Sequence, residues 1–249
     1  MTISKRERAS PDLDAQRHYS SYEDWKGWDE YFTYSSDENE YYKGEMLGLE
    51  LSGKNVLEIG FGSGSFLAWA KDAGASIKGT EINDRSLAEA KRFGVELLIA
   101  DFENVASKHK ECFDVIVAFD VFEHFTMDEI ITRTKAAETM LRPGGYLVLR
   151  FPNGQSPLGL APQNGDITHK EALSKEKIEQ ASLGTSFETT RYGGSFQILG
   201  PMGLKWIVRR LRYFTQSLLG GLLNAIYARK APWDAVVVLV MRKTGQSKK

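Results

Sequence analysis

The chain has 249 residues, 42% hydrophobic and 26% charged, with 32 Lys and Arg against 33 Asp and Glu for a net charge of −1. This balance excludes disordered, collagen-like and disulfide-scaffold classes, and it lacks the positive excess of a nucleic-acid-binding domain. The one cysteine, Cys112, excludes an intramolecular disulfide, and no run reaches the roughly 18 apolar residues of a membrane span, so a cytoplasmic protein with one large domain is expected.

Residues 1–20 are polar, contain Pro11 and read as a loosely held arm. Residues 21–50 carry Tyr22, Trp25, Trp28, Tyr31, Phe32, Tyr41 and Tyr42 around the acidic turn Ser35-Ser36-Asp37-Glu38. That is too aromatic for a linker; the segment reads as a helical lid or as simple packing on a domain beginning at residue 51. From Asn55 onward, short Val/Ile/Leu runs alternate with helix-period segments, the pattern of βα units and a parallel sheet. Strands are expected near 55–60, 76–82, 95–101, 113–120 and 145–151, with helices over 64–73, 84–93, about 103–110 and 126–141. Arg142-Pro143-Gly144-Gly145 stops the last of these. A Pro- and Gly-rich loop over about 152–167 follows the fifth strand, then a helix at about 170–182 and a strand at 186–192. An amphipathic helical stretch over 201–228, breakable at Gly220-Gly221, precedes a closing strand at 234–242.

Charge is unevenly placed along this order. Residues 1–50 hold 12 acidic and 6 basic side chains, whereas residues 189–233 hold 7 basic and no acidic ones. In 201–228, Leu204, Ile207, Val208, Leu211, Phe214, Leu218, Leu219, Leu222, Leu223 and Ile226 form a continuous helical stripe beside Lys205, Arg209, Arg210 and Arg212. Such a stripe covers the sheet, forms a homodimer interface or lies as a peripheral contact on an anionic membrane. Nucleic acid is not expected as a partner.

The densest signal is Val56-Leu57-Glu58-Ile59-Gly60-Phe61-Gly62-Ser63-Gly64-Ser65. A strand enters a glycine turn that lets the backbone approach a ligand, and a helix N-terminus follows. Dinucleotide sites use Gly-x-Gly-x-x-Gly, but here Ser65 takes the third glycine's place. Glu58, two residues before Gly60, suits an ammonium group better than a pyrophosphate. Glu81 lies 21 residues after Gly60, the spacing that puts a carboxylate over a ribose diol. Asp101-Phe102 ends the third strand and offers a carboxylate and a ring to an adenine, unless Asp101 caps the next helix and Phe102 is core.

With Asp120 to Phe125 and Leu141-Arg-Pro-Gly-Gly-Tyr, these motifs resemble the class I S-adenosylmethionine (SAM) dependent methyltransferases over about residues 50–153 and the closing strand. The resemblance implies a Rossmann-like, seven-stranded, mostly parallel α/β sheet with an antiparallel final strand and helices on both faces. It implies SAM as cofactor, held by Glu58, Gly60, Phe61, Gly62, Gly64, Glu81, Ile82, Asp101, Phe102, Phe119 and Asp120, with Tyr42 covering it. An NAD-dependent oxidoreductase is disfavoured by Ser65 and Glu58, and a non-catalytic methyltransferase-like subunit by the intact glycines and carboxylates.

Methylating a hydroxyl calls for a base, and histidine suits neutral pH. His18 and His109 read as solvated, whereas His124 follows the fourth strand and His169 follows the long loop. Phe151-Pro-Asn-Gly-Gln-Ser-Pro-Leu and Gly165-Asp-Ile-Thr-His-Lys resemble a subgroup found with bacterial surface-polysaccharide and O-antigen machinery. That resemblance implies a glycan hydroxyl as acceptor, with His169 as base, Asp166 orienting it and His124 as the second candidate. A quinone or other small molecule is the alternative acceptor. Asp166, His169 and Asp120 can converge on a metal, but no ligand spacing such as His-x-x-x-His argues for one.

Overall fold

The computed structural model describes residues 29–245. The arm expected over 1–20, with His18, and the start of the aromatic segment, with Trp25 and Trp28, lie outside the described residues.

Helix α1 (Ser36–Glu45) starts where a capping box is written into the sequence. The Ser35 side chain accepts from the Glu38 N–H, and the Glu38 carboxylate accepts from the Ser35 N–H. Strand β1 (Asn55–Ile59), helix α2 (Ser65–Asp72), β2 (Ser76–Thr80), α3 (Asp84–Phe93) and the two-residue β3 (Glu96–Leu97) follow. A 3₁₀ turn, Phe102–His109, stands where a helix was expected. Then come β4 (Phe113–Phe119), a 3₁₀ turn at Phe122–His124 and α4 (Met127–Met140), opened by a second capping box between Thr126 and Glu129. After β5 (Leu141–Pro152) the chain forms α5 (Leu160–Asn164), α6 (Lys175–Ala181), β6 (Phe187–Gly194), α7 (Leu204–Ile226) and β7 (Val236–Lys243).

The strands form one sheet in the order β3-β2-β1-β4-β5-β7-β6. Pairing is parallel from β3 through β5, and β7 inserts antiparallel to both β5 and β6. Each buried strand feeds two cores, as the period of two requires. Leu57, Ile116, Leu147 and Leu239 point into one apolar layer with Phe122, Ile130 and Met140, while Val56, Val115, Val148 and Val238 point into the other with Phe66 and Trp69. Order reverses at β1 and β4, so the carboxyl ends of β1, β2 and β4 open onto the crevice where ligands bind in such sheets.

Three local expectations change. Arg142-Pro143-Gly144-Gly145 ends α4, yet the chain enters β5 at once. Pairing with β4 jumps from Phe113↔Leu141 to Val115↔Tyr146, so the extra residues are accommodated as a bulge. Helix α6 begins at Lys175, not near 170, because Ser174 caps it and residues 166–171 are tied elsewhere. Helix α7 runs unbroken through Gly220-Gly221 and buries none of its residues among the described ones, so it does not cover the sheet. Its apolar stripe faces outward, with Leu211 60%, Phe214 67% and Leu218 62% exposed. It is tethered by Arg209 to Asp37 of α1 at 3.4 Å and by Asn224 to the Trp233 indole N–H at 2.9 Å.

Candidate active site

A cavity of about 410 Å³ opens at the carboxyl ends of β1, β2 and β4. Its floor is the turn after β1. Gly60 has φ +65°, and a Cβ there would meet the Val121 side chain at 2.8 Å, so the backbone passes where no other residue fits. The Gly60 N–H donates to the Thr80 carbonyl at 2.8 Å, and the Gly62 N–H donates to Glu81 Oε2 at 2.8 Å. Glu81 Oε1 accepts from the N–H groups of Ile82 at 2.7 Å and Asn83 at 3.1 Å. One carboxylate thus locks the glycine turn to the entry of α3.

Glu58 lies beneath this turn, 4% exposed, and its Oε2 has no hydrogen-bond partner among the described residues. Burial pushes its carboxyl well above the usual range, the nearby Glu81 adds to the rise, and Arg150 opposes it. A buried acceptor lacking a partner is costly unless a cationic or hydrogen-bonding ligand satisfies it.

On the β4 side, Phe119 stacks on Tyr42 at 6.3 Å between centroids, and both line the cavity. Asp120 takes the left-handed conformation, φ 56°, unusual for a residue with a side chain. It is held there by Arg150, whose carbonyl accepts from the Asp120 N–H at 2.9 Å and whose guanidinium grips both carboxylate oxygens. Arg150 also donates to the Tyr41 hydroxyl, whose phenol is pushed up to about 12, chiefly by burial.

Residues 57–149 match the family model of the methyltransferase domain. Over 103 residues the chain is 29% identical to the ubiquinone biosynthesis O-methyltransferase of Ralstonia nicotianae, covering 39% of this chain and 42% of that protein. A match to the protein of the same name from Rhizobium etli is 26% identical over 190 residues and covers 68% and 73%. The chain thus spans less than half the length of the Ralstonia relative. Among solved structures, a SAM dependent methyltransferase from Archaeoglobus fulgidus has TM-score 0.57 at 18% identity, over 84% of this chain and 95% of that one. Magnesium protoporphyrin IX methyltransferase from Synechocystis PCC 6803, with bound S-adenosylhomocysteine (SAH), has TM-score 0.61 at 13% identity, over 94% and 100%. At these identities the structural likeness is one of fold.

Residues 57–149 thus match a methyltransferase domain, set in a sheet that has the fold of SAM-dependent methyltransferases. SAM fits the cavity chemically. Its amino-acid ammonium matches the buried Glu58 carboxylate, whose Oε2 has no hydrogen-bond partner among the described residues. Glu58, Gly60, Phe61, Gly62, Glu81, Ile82, Asp101, Phe119, Asp120 and Tyr42, the residues expected on the cofactor, all line this cavity.

Two residues expected on the cofactor do not reach it. Phe102 is fully buried in the core, because the 3₁₀ turn that begins with it turns its ring inward. Gly64 is the left-handed N-cap of α2, and a Cβ there would meet the Phe32 ring at 2.4 Å, so this glycine makes room for the N-terminal segment. Asp101 reaches the rim, 66% exposed at its side chain, and pairs with Arg133 at 3.0 Å.

The acceptor side differs more from expectation. His124 lines the cavity; His169 and Asp166 do not, and stand behind it. The two imidazoles meet edge to face at 4.6 Å. Thr168 Oγ1 donates to Asp166 Oδ1 at 2.5 Å and lies 2.8 Å from His124 Nδ1. Burial raises the Asp166 carboxyl, but the Thr168 hydroxyl and N–H and the neighbouring imidazoles outweigh it, leaving it below the usual range. With the Thr168 proton spent on an ionised carboxylate, the Thr168 oxygen is left to accept from an N–H on His124 Nδ1; in the neutral ring this tautomer leaves the lone pair on Nε2. His169 Nδ1 faces the Gln163 carbonyl at 3.0 Å.

Sequence reasoning missed Arg150 and Arg133, both on the cavity wall. Arg150 stands in an apolar strand, Leu147-Val148-Leu149-Arg150-Phe151, where a charge needs a partner, and this was the one signal available. Arg133 sits on the buried side of α4, 7% exposed, with its guanidinium 4.0 Å from the Phe125 ring centroid.

Proposed function

We propose that the protein methylates a hydroxyl oxygen of a small-molecule acceptor, with His124 as the residue that manages the acceptor's proton. The observation that carries this reading is the His124-Thr168-Asp166 chain, which presents one oriented imidazole to the cofactor cavity. When bound, SAM supplies a methyl carbon whose bond to sulfur breaks, with the electron pair left on sulfur, as its bond to the acceptor oxygen forms. Glu58 and Glu81 hold the donor, and Tyr42 and Phe119 exclude water from it. His124 Nε2 accepts the hydroxyl proton, and Asp166, acting through Thr168, stabilises the imidazolium that results. Asp166 and His169 are therefore positioning residues and not the catalytic pair expected from the sequence.

The relatives are named for ubiquinone biosynthesis, which supports a small-molecule acceptor of the quinone-precursor kind; no comparison supports a glycan. Helix α7 favours an apolar acceptor met at an anionic lipid surface. It exposes an apolar stripe beside Lys205, Arg210 and Arg212, carries no acidic residue and is joined to α1, whose Tyr42 lines the cavity. Among the described residues no helix is long and apolar enough to cross a membrane. Incubation with methyl-labelled SAM and a panel of phenols, catechols and sugars, read by mass spectrometry, tests the assignment. Label on a phenolic or catecholic oxygen is expected; label confined to sugars would overturn the acceptor class.

A further inference from the structure

We propose that Arg133 is a positioning residue that makes the cofactor cavity selective for adenine, by holding the Asp101 carboxylate ready to accept from the 6-amino group of the base. This role requires SAM in the cavity, and it is independent of the acceptor and of His124. SAM is a chain of three parts, amino acid, ribose and base, and the cavity wall offers a carboxylate for each in strand order. Glu58 lies in β1, Glu81 follows β2, and Asp101 follows β3 at the edge of the sheet. Asp101 stands at the start of the 3₁₀ turn Phe102–His109, yet its side chain caps nothing there. Most of that side chain is exposed. A carboxylate so placed turns among several rotamers, and a hydrogen bond to it gains little.

Arg133 removes that freedom. Its Nη2 donates to Asp101 Oδ1 at 3.0 Å, while among the described residues none bonds Oδ2, which leaves that oxygen for a donor on the ligand. Its Nη1 donates to the carbonyl of Ala100 at 3.3 Å. One planar fork thus grips a backbone carbonyl and a side-chain oxygen of the same dipeptide, fixing the carboxylate relative to its own chain. The guanidinium is held in turn by burial, by the rings of Phe125 and Phe102 at 4.0 and 5.5 Å between its carbon and their centroids, and by Glu103 Oε1 at 3.4 Å. Two carboxylates share one guanidinium, so the cluster keeps an excess of negative charge. A base that presents an amino group there is favoured over one that presents hydrogen or a carbonyl oxygen. Ala100, Asp101 and Arg133 all line the cavity, so the acid and the fork stand on one wall.

The test uses two ligands that differ in one group: SAH and its purine analogue, in which hydrogen replaces the 6-amino group, each titrated calorimetrically into the full chain. The wild type should prefer SAH by about ten- to a hundredfold. Arg133→Met keeps a stem to pack on Phe125 and removes the fork, so its preference should fall to about fivefold or less, chiefly by loss of SAH affinity. Arg133→Lys keeps the charge without the fork, and its preference should lie between the two. If Arg133 served only to clip α4 to the loop after β3, both ligands would weaken together and the preference would survive. An undiminished preference in either variant, shown to be folded by circular dichroism, therefore overturns the role, as does a wild type that binds both ligands alike. If Arg133→Met does not fold, Arg133→Lys decides alone. A wild type that binds neither ligand removes the SAM site itself, and the adenine role with it.

Discussion

The cofactor half and the acceptor half of the cavity are built by different rules. Glu58, Gly60, Gly62 and Glu81 are placed by the ends of β1 and β2, so their chain positions and their places in space follow from strand length and one turn. The acceptor half brings His124 against Thr168 and His169, from the end of β4 and a segment more than 40 residues later. Backbone bonds from Lys170 and Glu171 to the Glu123 carbonyl hold the two together. The first half can be altered one side chain at a time. In the second, each side chain's role depends on which imidazole stands in front.

That difference is sharpest in the two histidines. His124→Ala should lower turnover by about 10²- to 10⁴-fold while SAH still binds, and His169→Ala should cost less, since it does not reach the cavity. Steady-state rates beside SAH titrations check this, and the reverse order would restore His169 as the reacting group. Charge reversal of Lys205, Arg210 and Arg212 to Glu should weaken partition onto anionic vesicles by about a hundredfold, at about 1 kcal/mol per basic residue, and leave SAH affinity unchanged. Sedimentation with phosphatidylserine vesicles at low salt reads this, and a wild type that stays in the supernatant removes the lipid-surface reading.

In the cofactor half, Glu81→Ala should cost ten- to a hundredfold in SAH affinity, about 1.5–3 kcal/mol, because its carboxylate also fixes the Gly62 N–H. Glu58→Gln should separate binding from stability. The folded protein holds the Glu58 proton more tightly than the unfolded chain does, so stability falls as pH rises from the ordinary carboxylate range through the raised pKa. The glutamine variant should therefore be more stable near neutral pH, by about 1–3 kcal/mol, yet bind SAH more weakly. In the wild type, affinity should weaken as pH falls through the Glu58 pKa, because the ammonium favours the ionised carboxylate, and the variant's profile should be flat. The smallest effect expected is Phe102→Leu, about 1 kcal/mol of stability with SAH affinity unchanged; lost affinity would put the ring back on the adenine.

The sheet and the cofactor turn were legible because their determinants are local. Short Val/Ile/Leu runs mark the strands, β1 being buried from Val56 to Ile59, and the spacing from Gly60 to Glu81 is a helix and a strand long. Phe102 was misread because a 3₁₀ turn, which no periodicity announced, rotates its ring into the core. Chain order places His169 at the mouth of a loop, whereas the structure keeps it off the cavity wall, packed against His124 beside the Asp166-Thr168 turn. Arg150 was overlooked because its partners, Asp120 and Tyr41, lie 30 and 109 residues away. Helix α7 was recognisable as amphipathic from its stripe, but its outward orientation depends on tethers to Asp37 and Trp233 that no local pattern encodes.

The account rests above all on the cavity at β1, β2 and β4 being a SAM site, and parallel calorimetric titrations of the full chain with SAH and with NAD test this most directly. The buried Glu58 carboxylate and the glycine turn predict one SAH per chain at micromolar affinity and no saturable binding of NAD. Saturable NAD binding with no heat from SAH would contradict the account.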